Sequence, residues 1–238
     1  MKKLFILVPF VGLALLMSCK SGSSSFDGGT AEQPFGEKSG TVVYKPMEMM
    51  GVKVTQTMYF DDYGKKTLRE TIVEGNMNGV QMKQHTFDIT DGFTMYHYET
   101  ENISNGQDKA TKSVYKSTLE PEMFELMNIG SLSEKIKAKV NFKEEGEETV
   151  AGIVGIKYSM APDSTNPDNR ITGVHFKNIP LRVSFAEMQI IAEKVDFDTK
   201  VPADKFKVPE GYSIMDQTAP SMQQLPEDAP ETAEPATK

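Results

Sequence analysis

The chain has one cysteine, no tryptophan and only three histidines among 238 residues. A single thiol excludes an intrachain disulfide and any zinc cluster built on cysteines. Three histidines leave few partners for a nucleophile–base pair. The Gly-rich phosphate loop, the His-Glu-x-x-His helix and the Gly-x-Ser-x-Gly elbow are missing as well. An excess of positive charge is also lacking, because 26 Lys and Arg face 34 Asp and Glu for a formal net charge of −8. A nucleic-acid binder needs a basic footprint to release phosphate counterions, so that class is set aside. No apolar run reaches the roughly 20 residues that span a bilayer as a helix. The expectation is a protein that is not an enzyme and carries no cofactor.

What is present begins at the amino terminus. Lys2 and Lys3 precede an apolar stretch from Leu4 to Leu16, the length of a signal-peptide core. Leu16-Met17-Ser18-Cys19 follows and resembles the bacterial lipobox: a branched apolar residue, a tolerant position, a small residue, then the lipidated cysteine. The resemblance implies that residues 1–18 are removed and that the Cys19 thiol receives a diacylglycerol, with palmitate-class acyl chains as the anchor. A free cysteine is ordinarily buried, but Cys19 stands between an apolar leader and a Gly/Ser stretch where no core exists. Two chains or more anchor stably where one binds marginally. Losing Lys2 and Lys3 leaves 24 basic against 34 acidic side chains, or −10. Such a body gains nothing on an anionic bilayer surface, so the lipid does the anchoring. Lys20, not Asp, follows the cysteine. By resemblance to enteric lipoproteins this implies the outer membrane, and the absence of an acidic pair in residues 20–25 implies its periplasmic face.

Residues 19–40 read as the lipidated cysteine and a tether, with five Gly and five Ser among residues 20–40, the composition of a flexible linker. Residues 217–238 hold four Pro, four Ala and four acidic residues and bury too little to offset ordering entropy. One domain remains, over 41–216. Its first half reads as antiparallel strands. A three-residue hairpin loop at Asp62-Tyr63-Gly64 pairs Met58 with Leu68 and Val54 with Ile72. A second, at Thr90-Asp91-Gly92, pairs Phe87 with Met95, His85 with His97 and Lys83 with Glu99. A turn at Met49-Met50-Gly51 sets Val42 near Met58. Leu119, Met123, Leu126 and Met127 then fall on one helical face, with Pro121 in its first turn and Gly130 past its end. Ser131 and Glu134 read as a capping box for a second helix. Strand-like runs resume at 149–160, 171–177, 181–185 and 189–197. Phe206, Val208, Tyr212 and Ile214 close the chain as apolar pegs.

The lipobox, the Tyr-Phe-Asp-Asp-Tyr-Gly-Lys-Lys turn at 59–66, the Lys177-Asn178-Ile179-Pro180-Leu181 step and the Pro202…Phe206…Pro209…Gly211-Tyr212 ending resemble a family of bacterial envelope proteins. More distantly, they resemble the lipoprotein carriers LolA and LolB. The resemblance implies an α+β fold: an open antiparallel half-barrel, a meander, with short helices across its concave face. It also implies a groove for a lipid, an acyl chain or another hydrophobic small molecule. Val54, Met58, Leu68, Phe87 and Met95 are the expected lining, with Met123, Phe124 and Met127 as a helical lid. The alternative is an envelope structural or protein-interaction lipoprotein with a fully packed core. His85 and His97, opposite each other in that register, lack the third ligand that zinc requires, so no metal is assigned. Asp163–Asn169 lacks the spacing and glycine of a calcium loop and reads as a solvated turn. Of fifteen methionines, Met1 and Met17 precede Cys19; the thirteen that remain serve as gap fillers or as a pliable surface.

Replacing the one thiol tests the anchor. Cys19→Ser is expected to abolish metabolic labelling with a fatty-acid analogue and to release the protein from the membrane fraction. Undiminished labelling would refute the lipobox.

Overall fold

The computed structural model describes residues 33–128, 132–161 and 170–217. Residues 1–32 with Cys19, the Gly130 and Ser131 positions, the 163–169 turn and residues 218–238 lie outside the described residues.

Short β-branched and aromatic runs, cut by Asn and Gly turns, make this a strand-dominated chain. In order the strands are β1 (Gly40–Tyr44), β2 (Met47–Met49), β3 (Val52–Asp61), β4 (Lys66–Met77), β5 (Val80–Asp91), β6 (Thr94–Ser104) and β7 (Gln107–Asp108). Then come β8 (Ser113–Thr118), β9 (Lys143–Val150), β10 (Ile153–Met160), β11 (Ile171–Phe176), β12 (Ile179–Phe185), β13 (Met188–Asp196) and β14 (Ser213–Asp216). The helices α1 (Pro121–Met127) and α2 (Glu134–Lys139) separate β8 from β9. The strands form one open sheet in the order β14-β8-β6-β5-β4-β3-β1-β13-β12-β11-β10-β9, with β2 on β3 and β7 on β6. The described pairs are antiparallel except β14, which runs parallel to β8. The expected open sheet with few short helices is therefore present. The run read as one strand over 149–160 is two, broken at Ala151-Gly152, and β8 and β14 carry no local signal strong enough to have been read.

Two registers differ from those the sequence suggested. Asp61 pairs with Lys66, so the β3–β4 loop has four residues and Met58 faces Arg69 while Leu68 faces Tyr59. A slip of one residue sends a whole strand's side chains to the other face. The reason is tertiary: the loop holds the segment before β1. Phe35 N donates to Tyr63 O at 2.7 Å and Tyr63 N to Lys38 O at 2.9 Å. A Cβ on Gly64 would stand 2.5 Å from the Phe35 ring, so only glycine admits the contact. In the second hairpin Asp91 pairs with Thr94. Gly92, at φ +58°, opens a two-residue turn instead of closing a three-residue one. Phe87 consequently faces Tyr98, and His85 faces Glu101. The expected Val42–Met58 pairing is found.

The capping box is corrected too, since Ser133 caps α2 by accepting from Ile136 N, and Glu134 pairs with Lys137. Leu132, Ile136 and Val140 of α2 and its flanks pack on Tyr158, Met160, Ile171 and Val183. Phe124 of α1 lies 4.6 Å from the ring of Phe93 at the β5–β6 turn. A second core joins Phe35, Val42, Tyr44, Met58 and Phe60 to Ile179, Leu181 and Ala192. Phe35, inside the stretch read as tether, is 1 % exposed and meets Phe60 edge-on at 5.1 Å.

That contact gives a stability test. Phe35→Ala removes a buried ring and is expected to cost about 3–5 kcal/mol, measured by denaturant unfolding. A loss below about 1 kcal/mol would mean that the segment before β1 does not hold the β3–β4 loop.

Candidate functional site

Directly opposed residues share a sheet face, so the registers sort every candidate. One face carries Val52, Val54, Gln56, Met58 and Phe60 of β3, Thr71 and Val73 of β4, Gln84, Thr86 and Asp88 of β5, and His97 of β6. The sheet curls so that Val183, Phe185, Met188 and Ile190 of β12 and β13 close over Val54, Val73, Thr86 and His97, leaving a cleft of about 110 Å³. This is the concave face. Its roof is apolar, but its floor over β4–β6 is mostly polar. Arg69, Asp88 and His97 stand in one row across three strands, and His97 Nδ1 meets Asp88 Oδ1 at 2.7 Å. That hydrogen bond raises the His97 pKa above the usual imidazole value.

The opposite face holds Leu68, Ile89, Tyr98 and Val114, packed with Phe87 under Phe206, Val208 and Tyr212 of the closing segment. Here the expected pegs Phe206, Val208 and Tyr212 do pack, whereas Ile214 is 56 % exposed. Burial pushes the Tyr98 hydroxyl up to about 12. Glu70 gathers His85 at 2.8 Å, the Tyr59 hydroxyl at 3.3 Å and Lys205 at 3.9 Å, which ties the closing segment to this face.

The expected groove residues are thus not brought together. Val54, Met58 and Met95 lie on the concave face, and Leu68 and Phe87 on the other. Met123 and Met127 are half-buried on α1 and Phe124 is buried there. His85 and His97 fall on opposite faces with separate carboxylates, which corrects their pairing. Among the described residues no group of three or more His, Cys, Asp or Glu could hold a metal, and no helix is long and apolar enough to cross a membrane.

Two features escaped sequence reasoning. The first is an open groove of about 730 Å³ at the end of the sheet, lined by Met49, Met50, Val52, Gly75 and Met82 with Glu48, Lys53, Glu74 and Lys83. Asn78-Gly79, a strong hairpin signal, sets its β4–β5 wall and was legible in the sequence. The second is an asymmetry of the sheet edges. Edge β9 bears Glu144, Glu145, Glu147 and Glu148, with Glu148 bound to Arg182 and Glu145 to Ser159. Edge β14 is exposed throughout, with Ile214 at 56 % and Met215 at 50 %.

No protein-family model matches the chain, and no curated protein matches it. Among solved structures it is similar to the Pseudomonas aeruginosa MucA/MucB complex, at TM-score 0.42 and 13 % identity over 78 % of this chain and 60 % of that one. A crystal structure of MucB gives TM-score 0.34 and 12 % identity over 76 % and 60 %. This chain thus covers 60 % of the length of each, and function is argued below from its own residues.

The third histidine has a structural consequence. His175 is 2 % exposed, its Nδ1 accepts from Asn178 N at 3.3 Å, and its buried Nε2 has no hydrogen-bond partner among the described residues. Burial pushes its pKa down to about 4. The unfolded chain takes up the proton near pH 6.5 and the folded one only near pH 4. Stability present above about pH 6.5 is therefore lost as pH falls toward 4, by up to about 3 kcal/mol. His97 acts in the opposite sense, its contribution being lost as pH rises through its raised pKa. Denaturant unfolding across that window should show the loss, and His175→Phe should flatten it. An unchanged slope in the variant would assign the acid sensitivity elsewhere.

Proposed function

We propose that this protein is an envelope lipoprotein, anchored through Cys19, that acts by binding another protein along its open sheet edge. The leader, the lipobox and the single cysteine support the anchor and, with Lys20, the outer membrane as its site. The unequal treatment of the two sheet edges supports the binding. An exposed edge is a template for a further strand, and proteins commonly blunt it with charge. The exposed Glu145 and Glu147 do so on β9. The β14 edge presents isoleucine and methionine instead. Ser213 N and Gln217 N donate to β8 at 2.8 and 2.7 Å, so with the two-residue alternation of a strand the Ile214 and Asp216 N–H groups point outward. Strand addition uses such groups for affinity and the alternating side chains for specificity.

A carrier of lipid or acyl chains is less well supported. Pockets for small molecules run to about 300–1,000 Å³; the concave cleft, at about 110 Å³, is well below that range, and the larger groove of about 730 Å³ at the end of the sheet has Glu48, Lys53, Glu74 and Lys83 in its lining, which suits an acyl chain poorly.

A photo-crosslinking residue at Met215, introduced in cells, is expected to give one discrete protein adduct. Ile214→Pro removes an outward donor while sparing those given to β8, a substitution that edge strands tolerate. It should abolish the adduct and leave the circular dichroism unchanged. An adduct that survives Ile214→Pro, or arises equally from the exposed Val154, would refute edge binding. A lipid retained by the purified chain in native mass spectrometry would favour the carrier instead.

A further inference from the structure

The two sheet edges differ in what they offer to a second copy of the same chain. A two-fold axis sets an edge strand antiparallel to itself, so that residue i meets j and j meets i. On β9 such pairing brings the exposed Glu145 and Glu147 of one copy against the same pair in the other. Like charges directly opposed in a sheet are unfavourable. β14 holds one charged residue, Asp216, and its carboxylate already has a partner in Lys116 Nζ at 3.5 Å.

The free backbone groups select the register. Ser213 N and Gln217 N bond to β8, so residues 214 and 216 turn their N–H and C=O groups outward. Residues of a hydrogen-bonded antiparallel pair exchange both N–H···O bonds. An axis at Met215 pairs Ile214 with Asp216 of the second copy, and the reverse, which engages every outward group of the strand. An axis at Ile214 sets Asp216 against Tyr212, which lies outside β14. An axis at Asp216 opposes two carboxylates. Only the first register uses the whole strand and opposes no like charges. It also brings Met215 against its own copy on the concave face, where Met215 pairs with Tyr115 and Tyr115 with His97. Ile214 pairs with Val114 and extends the opposite, apolar face. Ile214 and Met215, 56 % and 50 % exposed, are the side chains that gain cover.

We propose that β14 pairs antiparallel with β14 of a second copy about a two-fold axis at Met215, joining two open sheets into one. This pairing depends on the edge binding proposed above and specifies its partner. Interfaces below about 1,200 Å² are transient. A strand of four residues belongs to that class, so the dimer forms and separates with concentration.

The test uses the detergent-solubilised full chain carrying Cys19→Ser, so that an introduced cysteine is the one thiol. Opposed residues of a non-hydrogen-bonded pair stand about 4.5 Å apart at Cα, within the range of about 4.4–6.8 Å that a disulfide spans. Met215→Cys is expected to give a disulfide-linked dimer under mild oxidation. Ile214→Cys is displaced from its copy by two residues along the strand, and should link on the order of tenfold more slowly. Val154→Cys, also 56 % exposed but on β10, should be as slow. Ile214→Pro, added to Met215→Cys, removes an outward N–H and should abolish the link while the circular dichroism is retained. A Met215→Cys chain that links no faster than Val154→Cys would overturn the proposal, as would a link that survives Ile214→Pro. If no dimer forms while photo-crosslinking at Met215 captures a different protein, the second copy is excluded and edge binding stands. If neither forms, both fall.

Discussion

A sheet this broad with helices of only seven and six residues has too little helical surface to cover its concave side. The rest of the structure depends on that shortage. An apolar sheet face has to be buried against something, and among the described residues the large partner is the far end of the same sheet. The sheet curls until β12 and β13 stand over β3–β6, and α2 fills the part that curvature leaves uncovered over β10–β12. What remains is a cleft too small for a lipid chain. The need to fill the concave side internally is what moves the functional reading from an internal groove to the rim and edges of the sheet.

The opposite face meets the same demand differently. Leu68, Ile89 and Tyr98 are covered by the closing segment, held through Phe206, Val208 and Tyr212 and by Lys205 beside Glu70 and over the Tyr59 ring. That segment then lies along β8 as β14. The exposed edge and the cover of the apolar face are one continuous piece of chain. An edge built this way is formed by few contacts, and such elements are the ones most readily exchanged or extended in strand pairing.

Both registers that departed from expectation trace to contacts distant in sequence. The β3–β4 loop is one residue longer than its Gly64 suggested, because it accommodates Phe35 and its backbone. The β5–β6 turn uses Gly92 at the first central position, where Phe93 can then meet Phe124. Each odd slip moved a strand's side chains through the sheet. For that reason the two histidines became members of separate acid–base pairs and the expected groove divided between two faces.

The sequence by itself determined that this is a chain of antiparallel strands with two short helices, and that Val42 lies beside Met58. It also determined that Phe206, Val208 and Tyr212 are apolar pegs, but not that Ile214 stays exposed. Those features follow from two- and four-residue periodicity and from local turn chemistry, which neighbouring residues control. Tertiary structure alone decided which face each strand turns inward, because burial of Phe35 against Gly64 and of Phe124 against Phe93 selects between registers that local propensity leaves nearly equal. It also decided that Met49 and Met82 line one groove and that β14 is left as an unguarded edge, since both arise where segments far apart in the chain are brought into hydrogen-bonding distance.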